Sequence, residues 1–250
     1  MAAIYSDLAG KVVLVTGGGS GIGETIVRRF AEQGCKVAFI DIARDESERL
    51  VAELAAKGQA VQFEHTDLKD IAALRAAVAR VSASLGPISI LINNAAQWLP
   101  GRMEEHDALA ISQTIAANVT GTLLLTRGLV PILEKSGAGD IMTIVSISGL
   151  TNARLQSAAV AYAASKQAQA AMNDGLRQEL KGRPVRVQAV FPPYLEDISP
   201  LNAVAWDAPR DAGSHVTNRD IVETVIFALS RPHHVMLASI IVDSDNGGMF

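Results

Sequence analysis

A single cysteine, Cys35, stands among the chain's 250 residues. It excludes an internal disulfide and fits a reducing compartment. A basic excess is missing too: 22 Lys and Arg stand against 26 Asp and Glu, a formal charge of −4. The cations are scattered, so nucleic acid and an anionic membrane gain no electrostatic foothold. No uninterrupted apolar stretch reaches membrane-spanning length. The opening "MAAIYSDLAGK" lacks a basic segment followed by an apolar one, so no signal peptide is expected. Of five histidines only His233 and His234 are adjacent, and no Cys or carboxylate pattern completes a metal site. There is no repeat, low-complexity segment or linker. The expectation is a soluble cytoplasmic protein with no nucleic-acid, membrane or metal partner.

What the chain does have is a recurring apolar run of strand length. "VVLVTG", "KVAFID", "AVQFEH", "ISILINNA", "DIMTIVSIS", "VRVQAVFP" and "ASIIVD" alternate with stretches of helical periodicity such as "ESERLVAELAAKG". Strands apolar on both faces, separated by helices, predict a parallel sheet covered on both sides. The fold class is α/β, one doubly wound domain over 1–250. The irregular stretch from Pro192 to Asp220 is too long for an ordinary connection. Its 195–218 portion is expected to be a substrate loop or lid, with Trp206 anchoring it over the reacting end.

Between the first strand and the first helix lies "TGGGSGIG", Thr16 to Gly23. A first strand-to-helix turn aims backbone N–H groups and a positive dipole end at an anion. Glycine lets the chain turn tightly and lets phosphate oxygens approach. The spacing of Gly17, Gly21 and Gly23 is G-x-x-x-G-x-G, neither the usual dinucleotide fingerprint nor a P-loop. A tight turn without a ligand has the same look. Asp41, closing the second strand, is the acid that such folds offer to the ribose 2′-OH of NAD, and it disfavours the 2′-phosphate of NADP. A solvated loop acid is its bland alternative.

"AYAASKQ" sets Tyr162 and Lys166 four apart on one helix face. A nearby ammonium favours the phenolate, which suits Tyr162 to general acid–base work near neutral pH. By chance such a pair also occurs on solvated helices. With the glycine loop upstream and a strand ending "IVSIS", the chain resembles the short-chain dehydrogenase/reductase family over nearly its whole length. "HTDL", "NNAA" and "AANVTG" match further family segments. The resemblance implies a Rossmann-type fold and an NAD-dependent oxidoreductase. It implies a catalytic set of Asn118, Ser146, Tyr162 and Lys166: a water-holding asparagine, a substrate-orienting serine, an acid/base, and a ribose-binding lysine that lowers the phenol pKa. It implies a cofactor set of Gly17, Ser20, Gly21, Ile22, Gly23, Asp41, Asp67, Leu68, Asn94, Ala95, Tyr162, Lys166 and Pro192. Asp67 belongs by the adenine.

The match has departures. Ser146 lies 16 residues before Tyr162, longer than usual, which reads as a small insertion in "LTNARLQSAAVA". Ser148 fits the usual separation and is the rival; Ser146, three before Gly149, is preferred. Pro193 replaces the customary glycine after Pro192, and proline removes an N–H donor. The short C-terminal segment resembles members that oxidise hydroxy acids or small alcohols. The substrate is a small molecule, a polar secondary alcohol or its ketone. Trp98, Leu99, Arg102, Arg154, Gln156, Tyr194, Glu196 and Trp206 are its candidate contacts, each equally readable as packing or solvated loop. A non-catalytic nucleotide-sensing scaffold is the competing reading. The small side chains of "AVAYAASKQAQAAM" and the resemblance imply a homo-oligomer, tetramer or dimer.

Overall fold

The computed structural model describes residues 7–155, 157–211 and 213–244. All seven apolar runs form strands: β1 (Val12–Thr16), β2 (Lys36–Asp41), β3 (Val61–His65), β4 (Ile90–Asn93), β5 (Gly139–Ile144), β6 (Val185–Phe191) and β7 (Ser239–Ile241). They pair in parallel in the order β3-β2-β1-β4-β5-β6-β7. Strands β1, β4, β5 and β6 are buried at every position, because helices cover both faces.

The helices are α1 (Gly21–Glu32), α2 (Arg44–Ala56), α3 (Ile71–Leu85), α4 (Ala108–Ile115), α5 (Thr122–Lys135), α6 (Val160–Glu179), α7 (Ala203–Trp206) and α8 (Asn218–Leu229). One core joins β-strand residues Val13, Val15, Ile90 and Ile92 to Ile26 and Phe30 of α1 and Ile221 and Val225 of α8. The other joins Leu14, Leu91 and Ile141 to Leu74 and Val81 of α3 and Leu125 and Leu129 of α5. Strand order reverses between β1 and β4, which opens a crevice at their carboxyl ends.

A π-helical turn, Ala116–Gly121, joins α4 to α5. The resulting helix, Ala108–Lys135, is long and apolar enough to cross a membrane by length and composition, its most apolar 18 residues having mean hydropathy 1.4. Here it packs on the sheet and on α3 and α6, and Gln113, Asn118 and Arg127 interrupt its apolar run. Cys35 is buried, with its thiol donating to the Leu8 carbonyl at 3.2 Å. Burial pushes this thiol up to about 12, which leaves it inert at neutral pH.

The segment after β6 is fastened at both ends. Ile198 and Asn218 exchange hydrogen bonds of 3.0 and 2.8 Å, and the Asn218 amide also donates to Thr25 on α1 at 2.9 Å. Ile198, Val216 and Thr217 are buried. The exposed excursion is confined to the residues between them, with α7 at its middle.

Candidate active site

The glycine turn is shaped by its own packing. A Cβ on Gly23 would lie 1.7 Å from the Gly17 carbonyl oxygen, and one on Gly17 would meet Ala95 at 2.8 Å. Gly18 and Gly19, absent from the expected set, are as tightly enclosed: a Cβ would meet Phe39 at 2.5 Å and Ser47 at 2.7 Å respectively. Asn94 anchors the turn from β4, its amide donating to the carbonyls of Thr16 and Gly17 at 3.1 and 3.0 Å. Ser20 caps α1 by position but makes no side-chain cap bond. The first amides of α1 therefore keep their capacity for an anion.

Asp41 reaches the same turn. Its carboxylate accepts from the Gly19 and Ala43 amides at 2.8 and 2.9 Å. A cleft of about 610 Å³ runs from Asp41 past Gly17, Ser20, Gly21, Ile22 and Gly23, and takes in Asp67, Leu68, Asn94 and Ala95. Lys69 lines the cleft and pairs with Asp67 at 3.2 Å, while Arg44, which follows Asp41 in the chain, is turned to His65 and Glu48. An acid faces the loop as well: Asp197 Oδ2 would lie 3.3 Å from a Cβ on Gly21. The uncapped helix end and glycine floor fit the diphosphate of a dinucleotide, and Asp41 fits its ribose. Asp197 opposes the phosphates.

A second cavity, about 310 Å³, adjoins the first, with Ile22, Asn94 and Ala96 in both walls. Tyr162, Lys166, Ser146, Ser148 and Pro192 line it. The Ser146 hydroxyl and the Tyr162 phenol face this same cavity, close enough for Ser146 to favour the phenolate. The Ser146 hydroxyl also accepts from the Ser148 amide at 3.1 Å, which fixes it at the head of a short 3-10 turn, Ile147–Gly149. Gly149 makes this possible, since a Cβ there would meet the Lys166 carbonyl oxygen at 2.8 Å. The longer Ser146–Tyr162 interval thus leaves both hydroxyls on one cavity. Its extra residues form pocket wall: Leu155 and Ser157 line the cavity. Pro193 lines it too, and the Pro192 carbonyl holds the Ile147 amide at 2.9 Å.

Lys166 is fully enclosed, its ammonium donating to the Ile144 carbonyl and Gln169 Oε1, both at 3.0 Å, and lying 5.7 Å from the Tyr162 ring. Burial pulls its pKa down to about 7. Burial also pushes the Tyr162 phenol up to about 12, and only Ser146 works the other way. The expected lowering of the phenol by Lys166 is therefore absent in the protein alone. The ammonium is spent on Ile144 and Gln169, and desolvation dominates.

Asn118 lines neither cavity. It sits buried in the π turn, exchanging hydrogen bonds with the Gln97 backbone at 2.7 and 3.1 Å and donating to Ser165 at 3.0 Å. Its carbonyl accepts from Gln169 at 2.8 Å, so one glutamine links Asn118 to Lys166. Gln97, Ser165 and Gln169 escaped the sequence reading. Only the position of Gln169, three after Lys166 on one helix face, could have pointed to any of them.

Residues 99–101 are stitched to 157–159 by bonds of 2.8 and 2.9 Å, just before α6. This holds the Trp98 indole edge-on to the Tyr162 ring, centroids 4.5 Å apart. Trp98 and Tyr194 line the pocket while 50% and 76% exposed. Leu99 is buried behind them, Arg102 pairs with Glu104, and Glu196 pairs with Arg210 at 3.4 Å. Of the 195–218 span only Leu195 lines the cavity. Trp206 lies elsewhere, in a surface cleft with Arg28 and Arg29 of α1 and under the Arg219 guanidinium, so it does not anchor a cover over the reacting end. Gln156 and the tail beyond Ser244 fall outside the described residues.

Comparison with known proteins agrees with this geometry. Residues 11–207 match the short chain dehydrogenase family. The chain is 35% identical to a 2,5-dichloro-2,5-cyclohexadiene-1,4-diol dehydrogenase of Sphingobium indicum, over 74% of this chain and 73% of that one. It is 32% identical to a D-threitol dehydrogenase of Mycolicibacterium smegmatis, over 97% and 89%. The fold superposes on a 3-ketoacyl-(acyl-carrier-protein) reductase from Brucella melitensis, crystallised with NADH, with TM-score 0.83 and 28% identity over 95% and 98% of the two chains.

Proposed function

The chain belongs to the short chain dehydrogenase family, which makes it an oxidoreductase of CH–OH groups, and on that premise we propose that it oxidises a small neutral secondary alcohol, or reduces the matching ketone, with NAD. The observation that carries this reading is that Ser146, Tyr162 and Lys166 line one cavity, which adjoins the glycine-loop cleft. A nicotinamide cofactor bound along that cleft supplies the hydride acceptor for oxidation and the hydride donor for reduction. Gly17, Ser20, Gly21, Ile22 and Gly23 would cradle it, with Asp41, Asp67, Leu68, Asn94, Ala95 and Pro192 along its length.

The remaining chemistry falls to side chains. Ser146 donates to the substrate oxygen and orients it. Tyr162 takes the alcohol proton at its phenol oxygen, or returns it to the ketone. Its raised pKa means that the phenolate needs positive charge nearby, which an oxidised nicotinamide ring would supply when bound, while Lys166, engaged with Ile144 and Gln169, would hold the cofactor's ribose. Asn118 holds the Gln97 backbone and Ser165, from where it would position a water of the proton relay. Support for NAD comes from Asp41, which a 2′-phosphate would meet as a like charge. Support for a neutral substrate comes from the pocket wall. Among the described lining residues Lys166 alone is charged, and it is turned away, so a hydroxy acid finds no counter-ion. The relatives' names, a cyclic diol and a tetritol, lie in the same class.

The exposed Leu123 on α5, beside Met172 and Leu176 of α6, suits a homo-oligomer, dimer or tetramer, built on that helix pair in the cytoplasm. Closure over substrate, first expected of the whole 195–218 span, is assigned to its leading residues next to Tyr194. NADH formation measured across neutral polyols, cyclic diols and 2-hydroxy acids, with NAD and with NADP, tests the reading. Turnover of a neutral alcohol with NAD supports it; preference for NADP or for a hydroxy acid overturns it.

A further inference from the structure

A third cavity, about 650 Å³, lies between α3 and α5, outside the catalytic cleft and about twice the volume of the substrate pocket. Ile71, Leu74 and Val78 form one wall; Leu124, Pro131 and Ile132 form the other. Each set recurs at helical spacing, so each is one continuous face. Two cations interrupt this apolar lining, Arg75 from α3 and Arg127 from α5.

These arginines are unusual in the molecule. Of the chain's fifteen, twelve are engaged in ion pairs or hydrogen bonds. Among the described residues Arg75, Arg127 and Arg154 have no such partner; the first two line this cavity, and no carboxylate does. Most of the protein's guanidinium groups have a carboxylate within reach, yet here two are left without one beside the same apolar groove. The only other polar lining group is Ser82, whose buried hydroxyl also lacks a partner. The helix register brings the cations together. A Cβ on Gly121 would lie 2.4 Å from the Leu68 carbonyl oxygen, which fixes the entrances to α3 and α5 at one level. Arg75 and Arg127 follow those two residues at nearly equal distance along the chain, with apolar wall continuing past both.

We propose that this groove binds a single free amphiphile with an anionic head, a medium-chain carboxylate. Its carboxylate sits between Arg75 and Arg127, whose planar donors suit that shape. Its alkyl chain lies along Val78, Pro131 and Ile132 and loses its contact with water. The groove is recessed between two helices and takes one chain, while the net charge of −4 argues against an anionic bilayer.

Calorimetric titration of the whole protein with dodecanoate, kept below its micelle concentration, tests this. Dodecanoate should bind one to one, and dodecyltrimethylammonium should not. The double variant Arg75→Gln, Arg127→Gln should weaken dodecanoate by about tenfold or more, the loss of two charge-assisted contacts. Gly128→Leu should abolish binding by filling the groove, because a Cβ at Gly128 meets open space and leucine favours the helix. NADH-forming activity should stay at the unmodified level in both variants. No dodecanoate binding, equal binding of the cationic amphiphile, or indifference to the arginine variant overturns the proposal. So does binding to phosphatidylglycerol vesicles without binding of monomeric dodecanoate. Should Gly128→Leu fail to fold, the arginine variant decides alone.

Discussion

At Gly17, Gly18, Gly19 and Gly23 the chain leaves no room for a Cβ, whereas Trp98, Leu155 and Tyr194 are large side chains 46–76% exposed. The dinucleotide end is built from backbone, locked by Asn94, Asp41 and near-contact of Gly23 with Gly17. The substrate end is built from side chains on loops, held by a few backbone bonds between 99–101 and 157–159. Tyr162 and Lys166 stand at the boundary, on a helix both ends share. The difference separates two tasks. An anion cradle tolerates almost no variation, while a pocket wall can change residue by residue on a fixed frame.

The boundary carries the largest expected effect. Tyr162→Phe removes one hydroxyl and should cut kcat by roughly 10²–10⁴-fold, with NAD affinity by calorimetry unchanged. Residual activity near the unmodified level would take Tyr162 out of the acid/base role. Next comes the rigid end. Gly23→Ala drives a methyl into the Gly17 carbonyl, so thermal unfolding should show about 3 kcal/mol lost. Unchanged stability would mean that the turn relaxes more easily than its packing implies.

Lys166 supplies a pH-dependent effect. Its pKa falls from 10.5 unfolded to about 7 folded, so the unfolded chain binds more protons between those values. Stability of the cofactor-free protein should therefore rise from about pH 7 toward pH 10, above which the raised Tyr162 pKa acts in the opposite sense. Lys166→Met should flatten that rise in denaturant titrations at several pH values; an equal slope would contradict the desolvated lysine.

Smaller effects belong to the open end. Trp98→Ala removes the ring against Tyr162 and should raise KM by roughly tenfold or less, the scale of about 1 kcal/mol for an aromatic contact. NAD affinity should hold. An equal loss of NAD binding would mean that the two ends are not separable. Asp197→Asn relieves one like charge at the cradle and should tighten NAD a few-fold, the scale of a Coulomb repulsion removed at an exposed site. Unchanged or weaker binding would move Asp197 away from the phosphates.

The same contrast governs what was legible in the sequence. Seven strands followed from apolar runs, most plainly β1, β4, β5 and β6, which are buried at every position and so are mostly apolar. The glycine turn was legible because its geometry admits no other residue. Tyr162 and Lys166 were legible through their spacing on one helix. Ser146 was preferred over Ser148 by its spacing to Gly149, and the fold puts both serines on the cavity, with the Ser148 amide spent on the Ser146 hydroxyl. The position of Trp206 was misread: it depends on the Ile198–Asn218 clasp and on α1, contacts far apart in the chain. Gln97 and Ser165 leave no pattern, since each is defined by the partner it meets across the fold, whereas Gln169 is marked only by its spacing from Lys166.

Single-turnover transfer of deuterium from a neutral secondary alcohol labelled at its carbinol carbon, threitol being the first choice, tests the central claim most directly. The enzyme loaded with NAD should yield NADH carrying the label, and unlabelled alcohol should react faster if hydride transfer limits the step. Tight NAD binding with no label reaching the nicotinamide from any neutral alcohol would contradict the account.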